Sequence, residues 1–296
     1  MTRIGKTRED RVVNGAALCI SLIVLFITVY PIYYCLINSF NEGKDAAKGG
    51  IYLWPRTFTL DNYAMVFRNK SLLGAFGITV LRTALGTAAS VLGVSSVAYA
   101  LSRSHLIGRR FYMVFGLVTL YFPASAVYSY LLYSQIGLLD RFLVYILPNI
   151  YQFYYVVLFM SFVKGLPSSL IESAKMDGAS EFTVLFRVVI PLSMPVVATV
   201  ALFSGVWHWN DWFHPAFFIT KEKLMTLPAV LMRTMSLAQA QQELQKVISV
   251  ASSTSVTTPE SVRYAMLMIA VAPVTMIYPF VQKYFVKGMM IGSVKG

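Results

Sequence analysis

Charge is scarce in this sequence. Only 13% of its 296 residues are Asp, Glu, Lys or Arg, against about 25% in a typical soluble domain. Cysteine is scarcer still. Cys19 and Cys35 both lie in the first apolar run, which excludes a disulfide framework and a cysteine-based metal site. No G-x-x-x-x-G-K-[ST] stretch occurs, so the chain has no P-loop with which to cradle nucleotide phosphates. No nucleophile–base pair stands out inside the apolar runs, no internal repeat is visible, and no low-complexity tract interrupts them.

Apolar residues fill the space that charge leaves. They make up 57% of the chain, and the mean hydropathy is +0.63. A membrane-spanning helix needs roughly 20 mostly apolar residues. Six segments qualify: 15–37, 72–101, 111–133, 139–163, 188–207 and 264–286. The first is too long for a signal peptide and has no small-residue cleavage site after it. Prolines 31, 123, 148, 195, 273 and 279 fall inside these segments. Each removes a backbone donor and can kink its helix, although membrane helices are in any case rich in proline.

The formal net charge is +12. It is scattered over loops and forms no aromatic-basic patch, so nucleic acid is not the expected partner. Short loops fix orientation, because the basic residues of cytoplasmic loops are retained inside. Arg3, Lys6, Arg8, Arg11, Arg103, Arg109, Arg110, Lys164, Lys175, Arg187, Lys283, Lys287 and Lys295 fall on one side. That side is expected to be cytoplasmic and to hold both termini. The predicted organisation is a cytoplasmic N-terminus 1–14, a six-span domain 15–286 and a cytoplasmic tail 287–296. A long outer loop covers 208–263. Within it, 224–248 has helical character through Leu227, Leu231, Met235 and Leu237, and 251–258 reads as loop.

ESAKMDGASEF, residues 172–182, is a polar island between two spans. Ser169 and Glu172 have the spacing of a capping box that starts a helix. Asp177-Gly178 ends it, because glycine takes the left-handed cap without strain. Ser180 caps the next helix. The first helix is then only two turns long, and such a helix is marginal in water unless it docks on something. Leu170, Ile171 and Ala174 give it an apolar side, Glu172 and Lys175 a polar one. Ser173, Ala174 and Ala179 permit close approach. Two readings stand open: a knob for a partner's groove, or a surface helix packed on its own chain.

LPSSLIESAKMDGASEFTVLFRVVIPLSMP resembles the EAA loop, here 164–191, of binding-protein-dependent ABC importer permeases. Glu172, Ser173, Ala174, Gly178, Val188, Ile190 and Pro191 occupy the motif positions, with Ser173 in place of alanine; Asp177 is also typical. VWHWNDWFHPAFF, residues 206–218, is similar to the W-N-D-F signature of carbohydrate-uptake permeases. PFVQKYFVKGMMIGSVKG resembles their C-terminus. The likeness is to the maltose-type second permease, in the branch that handles complex polysaccharides and their oligosaccharides. It implies an all-α membrane protein with six transmembrane helices and a cytoplasmic coupling helix between helices 4 and 5. That helix would dock on a separate ATPase through Ser169, Glu172, Ser173, Ala174, Asp177, Gly178 and Ala179. The tail, with Gly292 and Lys295, would reach the ATPase interface along an extended path. No cofactor is expected on this chain, with ATP and Mg on the partner. The implied partners are a sister permease, two ATPase subunits, an extracytoplasmic sugar-binding protein and the lipid bilayer. The implied location is the bacterial inner membrane.

Candidates for the sugar path are Arg82, Tyr121, Phe122, Trp207, Trp209, Asn210 and Asp211. A central Arg costs roughly 2.5–3.5 kcal/mol on insertion scales and therefore seeks the bundle interior. Arg82 is a path residue meeting an acidic sugar, a structural pair with backbone carbonyls or a polar partner, or a side chain that snorkels toward the outer interface. The aromatics either stack on sugar rings or form an interfacial belt. Asp211 also reads as a cap at the membrane edge. His208, Asp211 and His214 are spread around a helix rather than converging, so no metal site is expected. The substrate is an acidic, uronate- or alginate-like oligosaccharide, or a neutral one. A self-contained secondary transporter or channel is the alternative. It would need acidic residues at the span centres or inverted repeats, and neither stands out.

Overall fold

The structure, a computed structural model, describes residues 8–46, 48–248 and 259–293. The sequence readings for 251–258, for Arg3 and Lys6, and for Lys295 with the terminal V-K-G lie outside the described residues. Among the described residues there is no β-sheet, only one isolated bridge between Asn41 and Phe58. The chain divides into two compact units, 1–69 with 234–269 and 70–233 with 270–296.

The first unit contains α1 (Arg8–Ser39), α2 (Gly43–Ala46) and α3 (Asp61–Arg68). The span Val12–Ser39 buries none of its most apolar window, whereas Ile37, Asn38 and Ser39 at its end are buried. The following segment is tied by buried amides. Asn62 donates to the carbonyls of Ser39 and Asn41, each at 2.9 Å, and Asn41 accepts from the Thr57 amide at 2.9 Å. Arg56 pairs with Asp45 at 3.0 Å.

The second unit is organised on α4 (Lys70–Ser102), a 33-residue helix with no proline. It packs most extensively on α11 (Met194–Asn210) and α7 (Phe153–Val163). Val94, Ala98, Phe159, Val163, Val184 and Val200 form the centre of their common core. The spans predicted at 15–37, 72–101 and 264–286 lie in single continuous helices, the last within α14 (Pro259–Ser293).

The other three predicted spans are each broken. α5 (Arg109–Tyr121) and α6 (Ala126–Gln135) meet at 118°. Phe122, which precedes Pro123, leaves the helical region at φ −121°, ψ 74°, as the proline ring demands of its predecessor. Pro148 lies in the short turn Leu147–Asn149, and the segment turns 48° there before α7. The third break, of 86°, falls at Ser193, just before Pro195. It follows α9 (Glu181–Val184), a π-helical turn over Leu185–Val189 and α10 (Ile190–Leu192). Pro191 and Pro195 have no N–H to give to the preceding turn. Prolines 31, 273 and 279, by contrast, sit inside unbroken helices. Two boundaries change. Residues 137–141 form a turn, so the segment predicted from 139 becomes helical only at Phe142. The backbone at 287–293 is helical where an extended path was expected, because α14 runs on to Ser293.

Helix crossings are close where glycine permits. A Cβ on Gly116 of α5 would sit 2.0 Å from Cε2 of the buried Phe153 ring, and one on Gly86 would sit 2.4 Å from Nε2 of His208. Overpacking such a crossing costs about 1–3 kcal/mol. Gly116→Ala is expected to lower the melting temperature in detergent. Combined with Phe153→Leu, it should cost less than the sum of the two single changes.

Candidate functional site

Ser168–Met176 forms α8, followed by a turn and α9. The capping-box reading is corrected. Pro167 occupies the N-cap, no side chain caps this end, and Ser169 lies inside the helix. Proline fixes the entry angle, so the helix begins one residue before the position that Ser169 would have to hold. The C-terminal end is as read. Gly178 has φ +80°, its amide donates to Lys175 at 3.0 Å, and the Ala179 amide donates to Ala174 at 3.0 Å. These two bonds make a Schellman motif. Ser180 caps α9 by accepting from the Thr183 amide at 3.2 Å.

One side of α8 packs on its own chain. Ile171 is buried in the core shared by α4 and α7, and Ala174 and Ala179 pack against it. The other side is open. Ser169, Leu170, Glu172, Ser173 and Asp177 are exposed, and Met176 is 82% exposed. One face of this helix is thus packed on its own chain and the opposite face is open.

Tyr99 and Glu181, which the sequence reading did not single out, complete this joint with Lys175 and Arg103. Lys175 of α8 donates to Glu181 Oε1. Glu181 Oε2 accepts from the Tyr99 hydroxyl at 2.5 Å. Arg103 donates to the Tyr99 oxygen, stacks over the Tyr99 ring at 4.4 Å and lies 3.8 Å from Glu181. The four-residue spacing of Tyr99 and Arg103 was visible in the sequence; their approach to Glu181 was not.

The remaining candidates separate into three groups. Arg82 has no exposed surface. Its guanidinium donates to the Asp211 carboxylate and, at 3.0 Å, to the Asp211 carbonyl, and lies over the Tyr145 ring at 4.5 Å and the Trp207 ring at 5.6 Å. Asp211 also accepts from the amides of Phe213 and His214 at 3.0 and 3.3 Å. It thus holds the first two amides of α12 (Phe213–Phe218) from one residue before its N-cap, Trp212, and His214 Nδ1 lies 2.9 Å from its carboxylate. This geometry fits the structural-pair alternative for Arg82 and the cap alternative for Asp211. Arg82 Nε, buried beside this pair, has no hydrogen-bond partner among the described residues. The chain bends after Asn210, which brings His214 back to Asp211; still, among the described residues no three His, Cys, Asp or Glu side chains group to hold a metal ion.

Trp209 lines a groove of about 880 Å³ between α4, α11 and residues 273–278 of α14. Its indole N–H is committed to the Ala270 carbonyl at 2.8 Å. The Thr83 and Thr87 hydroxyls on this groove have no hydrogen-bond partner among the described residues. Tyr121 and Phe122, 75% and 77% exposed, stand at the α5–α6 break. Asn210 is exposed and donates to the Val206 carbonyl at 3.0 Å.

Residues 89–291 match the family described as "binding-protein-dependent transport system inner membrane component". The chain belongs to that family. Among relatives of this transport family, Protein LplC of Bacillus subtilis is 35% identical over 270 residues, covering 91% of this chain and 90% of that one. The polygalacturonan/rhamnogalacturonan transport system permease protein YtcP of the same organism is 31% identical over 287 residues, covering 97% and 98%. In a crystal structure of a bacterial ABC transporter involved in the import of the acidic polysaccharide alginate, one chain is 26% identical with a TM-score of 0.85, covering 94% of this chain and 98% of that one. This inner membrane component is thus a permease whose matched region contains α8, α11 and the breaks at Pro123, Pro148 and Pro195.

Two outcomes test the geometry. Removing Arg82 takes the permanent cation away from the buried Asp211 carboxylate, which is expected to cost about 3–5 kcal/mol. Arg82→Leu should therefore lower the melting temperature in detergent sharply, and Arg82→Lys, which lacks the planar fork, should recover only part of it. The second concerns Asp140, in the turn after α6. It accepts from the Thr220 hydroxyl at 2.6 Å and from the Thr220 and Lys221 amides at 2.5 and 3.1 Å. These bonds, the Thr220 hydroxyl's foremost, hold its pKa below the usual carboxylate value. The clamp is therefore complete above the ordinary carboxylate range and is lost as pH falls through the depressed value. Hydrogen exchange of the Thr220 and Lys221 amides, corrected for intrinsic rate, should rise at that lower pH and at neutral pH in Asp140→Ala.

Proposed function

We propose that this permease is one transmembrane subunit of an ATP-driven oligosaccharide importer, with α8 as its coupling helix. The observation that carries the reading is α8 itself, a capped helix of two turns with one packed face and one presented face, inside the region matched by the family. A helix this short holds its shape only by docking. Its open side, through Glu172, Ser173 and Met176, fits a cleft on a separate ATPase subunit. Nucleotide-driven closure of two such subunits then rocks the spans from inward- to outward-facing. A sugar-loaded binding protein, docked on the outer loops, releases its cargo into the opened cavity. The sister permease supplies the other half of the path. ATP and Mg belong to the ATPase, and no bond in the sugar is broken.

Counting each bent pair as one span gives up to six crossings, an even number that keeps both termini on one side; the basic short loops favour the cytoplasm as that side. The breaks suit a moving bundle, because each offers a point at which a span can flex. Tyr121, Phe122 and Asn210 remain candidates for lining the path, with aromatic faces for sugar rings. Gly292 and Lys295 are retained as ATPase contacts of the tail.

The substrate class we favour is a short acidic oligosaccharide. Support comes from the relatives: one is named for polygalacturonan and rhamnogalacturonan, and the structural neighbour belongs to an alginate importer. A neutral oligosaccharide is the second reading, since the permease AraQ of Halalkalibacterium halodurans, named for arabinooligosaccharides, is 28% identical over 282 residues.

The test is purification followed by reconstitution. The chain should co-purify with an ATPase. Glu172→Lys or Gly178→Val should lower sugar-stimulated ATP hydrolysis about tenfold or more, within the range of ordinary coupling energies. Vesicles holding the complex should accumulate oligogalacturonate or oligoalginate in preference to arabino-oligosaccharide. Uptake that persists without any ATPase overturns the reading.

A further inference from the structure

We infer that Glu181 is a positioning residue that locks α8 to α4, so that a displacement of α8 is carried into the membrane bundle. This inference rests on the reading of α8 as the coupling helix and names how its movement is transmitted.

The presented helix is held by little. Its N-terminal end has no side-chain cap, its one buried residue is Ile171, and it leaves through Gly178 in the left-handed region. Glycine there lets α8 swing relative to α9, because no Cβ resists the change. A lever that swings on a loose joint passes no force. Glu181 closes the joint from beyond the glycine: one carboxylate oxygen takes Lys175 on the α8 side, and the other takes the Tyr99 hydroxyl of α4. Arg103 adds its charge to the same cluster. Tyr99, Arg103 and Glu181 also line a cavity of about 370 Å³, together with His105 and Phe182.

What receives the force is a stiff rod. α4 runs unbroken for 33 residues without proline. From Tyr99 back to Arg82 is about 25 Å at 1.5 Å per residue, and there the rod is bonded to Asp211, the residue at which α11 ends. Lys175, Glu181, Tyr99, α4, Arg82 and Asp211 thus form one continuous set of bonded parts from the presented helix to the far end of α11. No single bond in it is strong in water. Its value lies in fixing geometry across the glycine.

The experiment uses the full complex with its ATPase in vesicles and reads sugar taken up per ATP hydrolysed. Glu181→Gln keeps the shape and removes the charge; the ratio should fall at least about fivefold, the lower end of typical coupling, with the ATPase still bound. Glu181→Asp should recover part of the ratio. Arg110→Gln, exposed on the same side of the chain, should keep the wild-type ratio. Should Glu181→Gln fail to assemble, Tyr99→Phe decides, because it deletes one hydroxyl and leaves the ring: the ratio should fall in the same direction. An intact complex with an unchanged ratio in Glu181→Gln, or in Tyr99→Phe where that variant decides, overturns the lock alone. A wild-type chain that captures no ATPase overturns the coupling-helix reading and the lock with it.

Discussion

The burial of Arg82 is the constraint on which the second unit is arranged. A guanidinium with no exposed surface has to find its hydrogen-bond partners within the protein. Here the partners are a carboxylate and a carbonyl at the end of α11, with two aromatic rings stacked alongside. Satisfying the charge fixes where α11 stops, and the same carboxylate then opens α12. Tyr145, which covers the guanidinium, is itself anchored to the Leu224 carbonyl at 2.7 Å. A single costly side chain thereby sets the positions of a helix end, a helix start and two turns.

Backbone satisfaction in a bilayer accounts for much of the rest. Hydrocarbon offers no partner for a freed carbonyl, so breaks survive only where they are buried in protein or line a water-filled cavity; the α5–α6 break is exposed on this chain. Pro123, Pro148 and Pro195 each coincide with a break, whereas prolines 31, 273 and 279 do not. The same residue type has different consequences because its neighbours differ. Before Pro123 the chain can leave the helix at Phe122. Proline 31 lies in a helix that has no such departure.

These contrasts mark what the sequence could disclose. Apolar run length places the three spans that are single continuous helices, and its other three segments fall on bent helix pairs, because hydropathy over about 20 residues is a sum and tolerates local detail. The α8 stop at Asp177-Gly178 and the Ser180 cap were legible, since each rests on one residue's local chemistry. The helix start was not: the S-x-x-E spacing fits a capping box, but Pro167 already fixes the entry. Leu227 and Leu231 of α13 (Leu227–Ile248) are buried as their spacing implied, while Leu237 on the same stripe is exposed. The partners of Arg82 and Glu181 lie 129 and 82 residues away along the chain. No periodicity reaches that far, so the sequence marked Arg82 as anomalous without naming what would neutralise it.

Gly116 and Phe153 carry a mechanical consequence. The ring occupies the space where a side chain at position 116 of α5 would stand, so the two helices mesh like a tooth in a notch. Sliding α5 lengthwise would drive the ring into the next turn, whereas tilting about the notch keeps it seated. Relative motion of these two helices is therefore a pivot, with its fulcrum at Phe153.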